Sequence, residues 1–297
     1  MTSRINKDKL FEYCRIPVDE LENHPDSRIK IKIFDKSDQT MKYTGNMMTE
    51  EVIANNKVGK MTRWVLPAGP SEQFEYFIQR VNQERISLKN VHVCLMDDVL
   101  DWNCRPFPLD HPYFNAEGRM NKIFYGRIDS ELNVPEEQRY YPRYNDLDAM
   151  DETIEKLGGL DTVYGGMGFT GLVAYCEAPR SPWTTITEEE YCQMKTRIFP
   201  INEDTIISSA VRRFGGLTHI MPSLAISIGF KSMLNTKRVV FVSTTGAWKR
   251  TAVRILMFCE PTVEYPATLF TDKVDEVILL TDRNTAASPL SPLSEEA

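Results

Sequence analysis

Residues 160–179 read LDTVYGGMGFTGLVAYCEAP. A strand-like run, 160–164, stops at a pair of glycines, and a glycine-rich loop follows. The loop contains GxGxxG from Gly166 to Gly171, the spacing of a dinucleotide fingerprint. That fingerprint must open a helix long enough to aim its N-terminus at a pyrophosphate. Here only residues 172–177 precede Ala178-Pro179-Arg180-Ser181-Pro182. Two close prolines leave room for about two turns. The loop is therefore expected to line a small-ligand site, with Gly166, Gly168, Thr170, Gly171 and Leu172 in its wall. Glu177, just ahead of the prolines, either faces that site or is a surface carboxylate.

The same junction recurs in both directions along the chain. Residues 63–66 (RWVL) lead into Pro67-Ala68-Gly69-Pro70-Ser71 and then into a helix with Phe74, Phe77, Ile78 and Val81 on one face. Residues 91–96 (VHVCLM) end in Asp97-Asp98. Residues 238–243 (RVVFVS) end in Thr244-Thr245-Gly246, and a helix over about 247–258 follows, burying Ala252, Val253, Ile255 and Leu256. Residues 276–281 (EVILLT) close the set. Apolar strands alternating with helices predict an α/β fold: an open, mainly parallel twisted sheet with helices on both faces. In such sheets ligands bind beyond the carboxyl ends of the strands, where the glycines, hydroxyls and acids fall here. One domain is expected over 1–287. Residues 1–62 form a lead-in with a half-exposed strand at 29–34 (IKIKIF) and a short helix at 49–56. A disordered Ser/Pro tail is expected over 288–297.

Composition narrows the function classes. The 297 residues are 42% hydrophobic, enough for a large core, and carry a net charge of -7. That balance argues against nucleic acid, which calls for basic patches. An anionic ligand would need a local site of backbone N–H groups and a few cations. The six cysteines lack CxxC spacing and the four histidines lack ligand spacing, so reduced thiols are expected, with no metal and no cofactor. No signal-peptide core and no membrane span is legible, which makes the cytoplasm the expected location.

Four constellations can carry chemistry. Ala68, Gly69, Pro70 and Ser71 can bring backbone N–H groups to an anion at a helix N-terminus, or form an ordinary turn with a serine cap. Asp97 and Asp98 leave a buried strand side by side, which raises a carboxyl pKa and suits a general base; the alternative is a loop start or a helix cap. Lys249 and Arg250 stand in a first helical turn, where cations are unfavourable unless an anion is bound. Arg212-Arg213 adds a third basic element, or a solvated charge pair.

Taken together, these segments resemble the glucosamine-6-phosphate deaminase/isomerase family, which includes 6-phosphogluconolactonases. The likeness runs over residues 63–283. The family's L-P-T-G-G-T-P is matched by LPAGPSE from Leu66, its M-D-E-Y by MDDV from Met96, and its G-G-x-G-x-D-G-H-x-A-F-N-E-P by GGMGFTGLVAYCEAP from Gly165. Its late G-x-x-K is matched by Gly246 to Lys249. The resemblance implies a Rossmann-like sheet and a small sugar phosphate as ligand, with a homo-oligomer as the expected assembly. It implies that Asp97 moves a proton between C1 and C2 of an open-chain sugar, assisted by Glu177. Ser71, Gly69, Lys249 and Arg212 or Arg213 would hold the phosphate.

At the family's D-G-H this chain has Thr170, Gly171 and Leu172, so the ring-opening histidine and its aspartate are replaced. Cys176 stands for the asparagine and Val99 for the tyrosine. The expectation is an isomerase/deaminase-like enzyme with an altered or open-chain substrate. The alternative is a non-catalytic sugar-phosphate-binding paralogue, and lactonase-type hydrolysis is a third reading. His111 and Cys176 are noted as other possible proton sources.

Overall fold

The computed structural model describes residues 5–179 and 185–290. Ten strands occur among them: β1 (Lys30–Phe34), β2 (Thr62–Leu66), β3 (Val91–Leu95), β4 (Asp97–Leu100), β5 (Arg139–Tyr140), β6 (Leu160–Gly165), β7 (Arg197–Pro200), β8 (Leu224–Ser227), β9 (Thr236–Ser243) and β10 (Glu276–Asp282). The helices are α1 (Lys7–Arg15), α2 (Ser37–Lys57), α3 (Gln73–Glu84), α4 (Ala116–Ile123) and α5 (Asp148–Lys156), then α6 (Glu188–Cys192), α7 (Glu203–Phe214), α8 (Phe230–Leu234), α9 (Arg250–Phe258) and α10 (Arg283–Ala286).

Seven strands form one parallel sheet in the order β1-β10-β9-β6-β2-β3-β5. The apolar runs are explained by burial on both faces. Successive side chains on a strand point to opposite sides. Val65, Val163, Val239 and Phe241 feed one core, packed by Met150 and Ile154 of α5 and by Val253, Leu256 and Met257 of α9. Trp64, Leu66, Tyr164, Val240 and Val242 feed the other, packed by Met48 and Val52 of α2 and by Phe74, Phe77, Ile78 and Val81 of α3.

The chain adds β3 and β5 on one side of β2, then returns to add β6, β9 and β10 on the other. The winding therefore reverses between β2 and β6, and a crevice opens at such a point on the carboxyl edge. The loops after β2 and β6 touch there: a Cβ on Gly166 would lie 3.3 Å from Pro70 Cδ.

Three features depart from the sequence expectation. The first is a small antiparallel sheet, β4-β8-β7, that the strand pattern did not reveal. After β3 the chain crosses at Met96, whose N–H donates to Leu66 O and whose carbonyl accepts from Ile228 N. Asp97 then opens a new strand opposite Ser227. Two acids at the head of a four-residue strand hide its periodicity. The second is α2, which spans 21 residues where a helix at 49–56 was expected. Gly45, Thr40, Thr44 and Thr49 lower its intrinsic propensity, but all are buried against the fold. The third is that the lead-in is part of the sheet, since β1 pairs in parallel with β10 over five residues. From residue 291 the expected tail lies outside the described residues, as do Arg180, Ser181, Pro182 and Trp183 of the loop after Pro179. Among the described residues no helix is long and apolar enough to cross a membrane, and all six cysteines are free.

Candidate active site

The crevice is a cavity of about 770 Å³ walled by the loops after β2, β3, β6 and β9 and by α7. Ala68, Gly69, Pro70, Ser71, Asp97, Asp98, Gly166, Gly168, Leu172, Arg212 and Lys249 all reach it. The structure thus gathers most of the sequence candidates from segments up to 181 residues apart, from Ala68 to Lys249.

Asp97 stands at the mouth of β4, half-buried. Burial, with the charge of Asp98 beside it, lifts its carboxyl to about 7. Asp98 also lines the cavity, but its Oδ1 is committed to backbone. Its Oδ1 accepts the N–H of Ala116 at 2.9 Å, at the start of α4, and that of Val99 at 2.8 Å. Burial raises it to about 6 against the pull of those two bonds. Adjacent strand residues face opposite ways, so only Asp97 is free of such ties while Asp98 acts as a helix cap.

Lys249 is 9% exposed, and its Nζ donates to Met167 O. Burial, then the charge of Arg212, lowers its ammonium to about 7. The Arg212 guanidinium is in turn lowered by burial and by Arg213. Among the described residues neither Lys249 nor Arg212 has a carboxylate partner within salt-bridge distance. Ser243, Thr245 and Thr205 line the same wall with side-chain hydroxyls that lack any hydrogen-bond partner. A buried cation such as Lys249 and orphaned donors are costly alone and are offset by an anion, and the exposed Arg212 adds charge at the same wall. Arg250, the other cation of that turn, faces away: it donates to the Asn284 carbonyl at 3.0 Å and to its Oδ1 at 2.8 Å.

Four residues were not found by reading the sequence. Arg119 of α4 donates to Ala68 O at 2.9 Å and Ser71 Oγ at 3.0 Å, which clamps the loop after β2. Ser71 is therefore held by a cation, and Glu72 takes the N-cap position of α3. Tyr175 lines the cavity near Asp97. Asp38 and Met41 of α2 close one side, so the N-terminal segment covers the site. No spacing rule links these residues to the glycine loops; a helical register for 37–57 was the one available signal.

Three candidates fall outside the cavity wall. Glu177 is 6% exposed and accepts from the N–H and Nδ2 of Asn202, both at 3.2 Å. Gly171 adopts φ 74, and a Cβ there would meet Tyr265 at 2.8 Å; its carbonyl accepts from Ala267 N. It is a close-packing glycine, not a ligand contact. Thr170 is 5% exposed, and its hydroxyl has no partner. Of the other proton sources considered, Cys176 is fully buried and donates to Ile228 O, and burial pushes its thiol up to about 12. The ring of His111 lies against Phe107 and Phe114, and its Nδ1 accepts from Phe114 N. Neither lines the cavity. Among the described residues no cluster of three or more His, Cys, Asp and Glu could hold a metal ion.

No family model matches the chain. Among curated proteins, the glucosamine-6-phosphate deaminase of Mycoplasma mycoides subsp. mycoides SC is 25% identical over 268 residues, 89% of this chain and 99% of that protein. The glucosamine-6-phosphate deaminase of Caenorhabditis elegans is 24% identical over 241 residues, 78% of this chain and 81% of its own. Of solved structures, a monomeric glucosamine-6-phosphate deaminase superposes with a TM-score of 0.72 and 20% identity, covering 87% of this chain and 99% of that one. The 6-phosphogluconolactonase of Trypanosoma brucei gives a TM-score of 0.60 and 13% identity, covering 88% and 98%. Fold and relatives together define a class of α/β sugar-phosphate enzymes. Within it, the chain is similar in sequence to glucosamine-6-phosphate deaminases and shares its fold with them and with 6-phosphogluconolactonases.

Proposed function

We propose that this protein is an isomerase/deaminase-type enzyme that moves a proton between C1 and C2 of an amino-sugar or hexose 6-phosphate in its open-chain form. The observation that carries the reading is the pairing of two groups in one cavity. One is Asp97, a carboxyl near 7 that is free of ties; the other is the buried Lys249 with the exposed Arg212 beside it, neither facing a carboxylate partner among the described residues. A base whose pKa lies near the working pH is well matched to proton abstraction. The cations, the Ala68–Ser71 loop and the orphaned hydroxyls suit a phosphate dianion, which would return Lys249 to its charged form.

In this reading Asp97 takes the proton from the carbon next to the carbonyl. The C–H electron pair becomes the C=C bond, and the carbonyl electrons move onto oxygen to give an enediolate. Asp97 then returns the proton to the neighbouring carbon, while the hydroxyl proton on the second oxygen passes to the first and the electrons it leaves form the new carbonyl. Asp98 keeps α4 in place, and Glu177 supports the loop from behind the wall. Leu172 is 8% exposed and packs on Gly168. An aliphatic side chain relays no proton, which favours a substrate that arrives with its ring already open.

Proton exchange tests the reading. Hexose and hexosamine 6-phosphates are incubated with the protein in deuterated water, and the C1 and C2 protons are followed by NMR. Deuterium enters with the wild type and not with Asp97→Asn. Exchange that survives in Asp97→Asn removes the assigned base. Thr170 and Leu172, standing where the resembled family has its aspartate and histidine, also favour a second reading, a sugar-phosphate-binding paralogue, which predicts binding with no exchange.

A further inference from the structure

Abstraction of a proton next to a carbonyl needs a base at the carbon and a hydrogen-bond donor at the oxygen where charge develops. Lys249 and Arg212 belong to the anion end of the cavity. Among the described residues no histidine or cysteine lines it. The donor must therefore come from elsewhere in the wall beside Asp97.

The geometry points to Tyr175 as a catalytic residue: its phenol donates a hydrogen bond to the substrate oxygen that becomes the enediolate as Asp97 takes the proton. This rests on the sugar-phosphate reading above and names the group that stabilises its intermediate.

Three observations place the ring. Asp97 is registered opposite Ser227 across β4 and β8. The Tyr175 N–H approaches Ser227 Oγ at 3.4 Å, so the tyrosine backbone is fixed to the residue that faces the base. Ala174, at φ 54, turns the chain so that neighbouring side chains part. Cys176 enters the core, while Tyr175 packs on the cluster of Val99, Phe114 and Ala225 and reaches the cavity. A left-handed alanine costs on the order of 1 kcal/mol, and such strain concentrates at functional sites.

The hydroxyl makes no hydrogen bond with any described residue. Burial raises its pKa, and the charges of Asp97, Asp98 and Glu177 add to this against Arg213. It therefore stays protonated across the working range and acts as a neutral donor; the proton remains on Tyr175 throughout. The other tyrosine of the wall, Tyr113, is 57% exposed and stands at the rim.

The test compares two ligands by calorimetry. One is the hydroxamate of 5-phosphoarabinonic acid, a planar enediolate mimic; the other is glucitol 6-phosphate, which keeps the phosphate and lacks the mimic. Wild type is expected to prefer the hydroxamate by at least about 10-fold. Tyr175→Phe is expected to lose about 10-fold on the hydroxamate and to bind glucitol 6-phosphate within about twofold of wild type. Equal loss on both ligands would assign Tyr175 a structural role and overturn the inference. No preference in wild type, or a preference that survives in Tyr175→Phe, overturns it too. If wild type binds neither ligand, the sugar-phosphate reading falls and takes this inference with it.

Discussion

The guanidinium of Arg119 donates to Ser71 Oγ at 3.0 Å and to the carbonyl of Ala68 at 2.9 Å, so a cation on α4 fixes the loop at the end of β2. The loop lines the cavity together with Arg119 itself. Arg119→Met keeps the packing of the stem and removes both bonds and the charge. We expect sulfate or inorganic phosphate to bind about 10-fold more weakly, since charged hydrogen bonds contribute on the order of 1.5–3 kcal/mol each and part is recovered by water. Calorimetric titration reads the change, and unaltered affinity would show that the loop holds its shape without Arg119.

Lys249 is lowered to about 7 by burial and by Arg212. Below that pH it is charged and attracts an anion; above it, each anion bound must bring a proton. Sulfate, a dianion over the whole range, should bind about 10-fold more tightly at pH 6 than at pH 8. Asp97, titrating near 7 in the same cavity, acts in the same direction by repelling the anion when ionised. Lys249→Met should weaken sulfate binding and flatten its pH dependence. Thermal shifts at graded sulfate concentrations measure both.

The Asp97 carboxyl is raised to about 7 in the fold, against about 3.9 in an unfolded chain. The folded state thus holds this proton more tightly. The resulting stability is present below about pH 4 and lost as pH rises through 7. Asp97→Asn removes the ionisation. At pH 8 the variant should be more stable than wild type, by on the order of 1–2 kcal/mol once partial solvent screening is allowed for. At pH 4 the two should agree. Urea melts at both values decide it; a destabilised variant at pH 8 would mean that the ionised carboxylate is held by the fold.

Gly45 lies mid-helix in α2, where alanine would ordinarily gain about 1 kcal/mol. A Cβ here would stand 2.6 Å from Gln73 O, 2.8 Å from Tyr76 Cβ and 2.9 Å from Phe77 N of α3. The first and third are backbone atoms, so the helices must separate. Overpacking of this kind costs about 1–3 kcal/mol and outweighs the propensity gain. Gly45→Ala should lower the melting temperature, and because α2 walls the cavity it should also weaken sulfate binding.

The sequence by itself determined the sheet and the ligand edge. Runs such as 239–242 are apolar at every position because two cores claim alternate residues, and that burial writes itself into composition. Glycines and acids at the strand ends marked Gly69, Asp97, Gly166 and Lys249, which lie beside their strands in the chain and need no long-range information. Only the tertiary structure decided the rest. The division of labour between Asp97 and Asp98 depends on α4 arriving 18 residues later to occupy Asp98. Arg119 meets Ser71 across 48 residues, and Tyr175 meets Asp97 through Ser227, 52 residues beyond it. Thr170, Gly171 and Glu177 shared the loop's spacing, yet turns at Gly171 and Ala174 sent them behind the wall. Spacing along a chain records which residues leave a strand together. The direction a side chain takes depends on partners folded in from elsewhere, and a local pattern does not carry those.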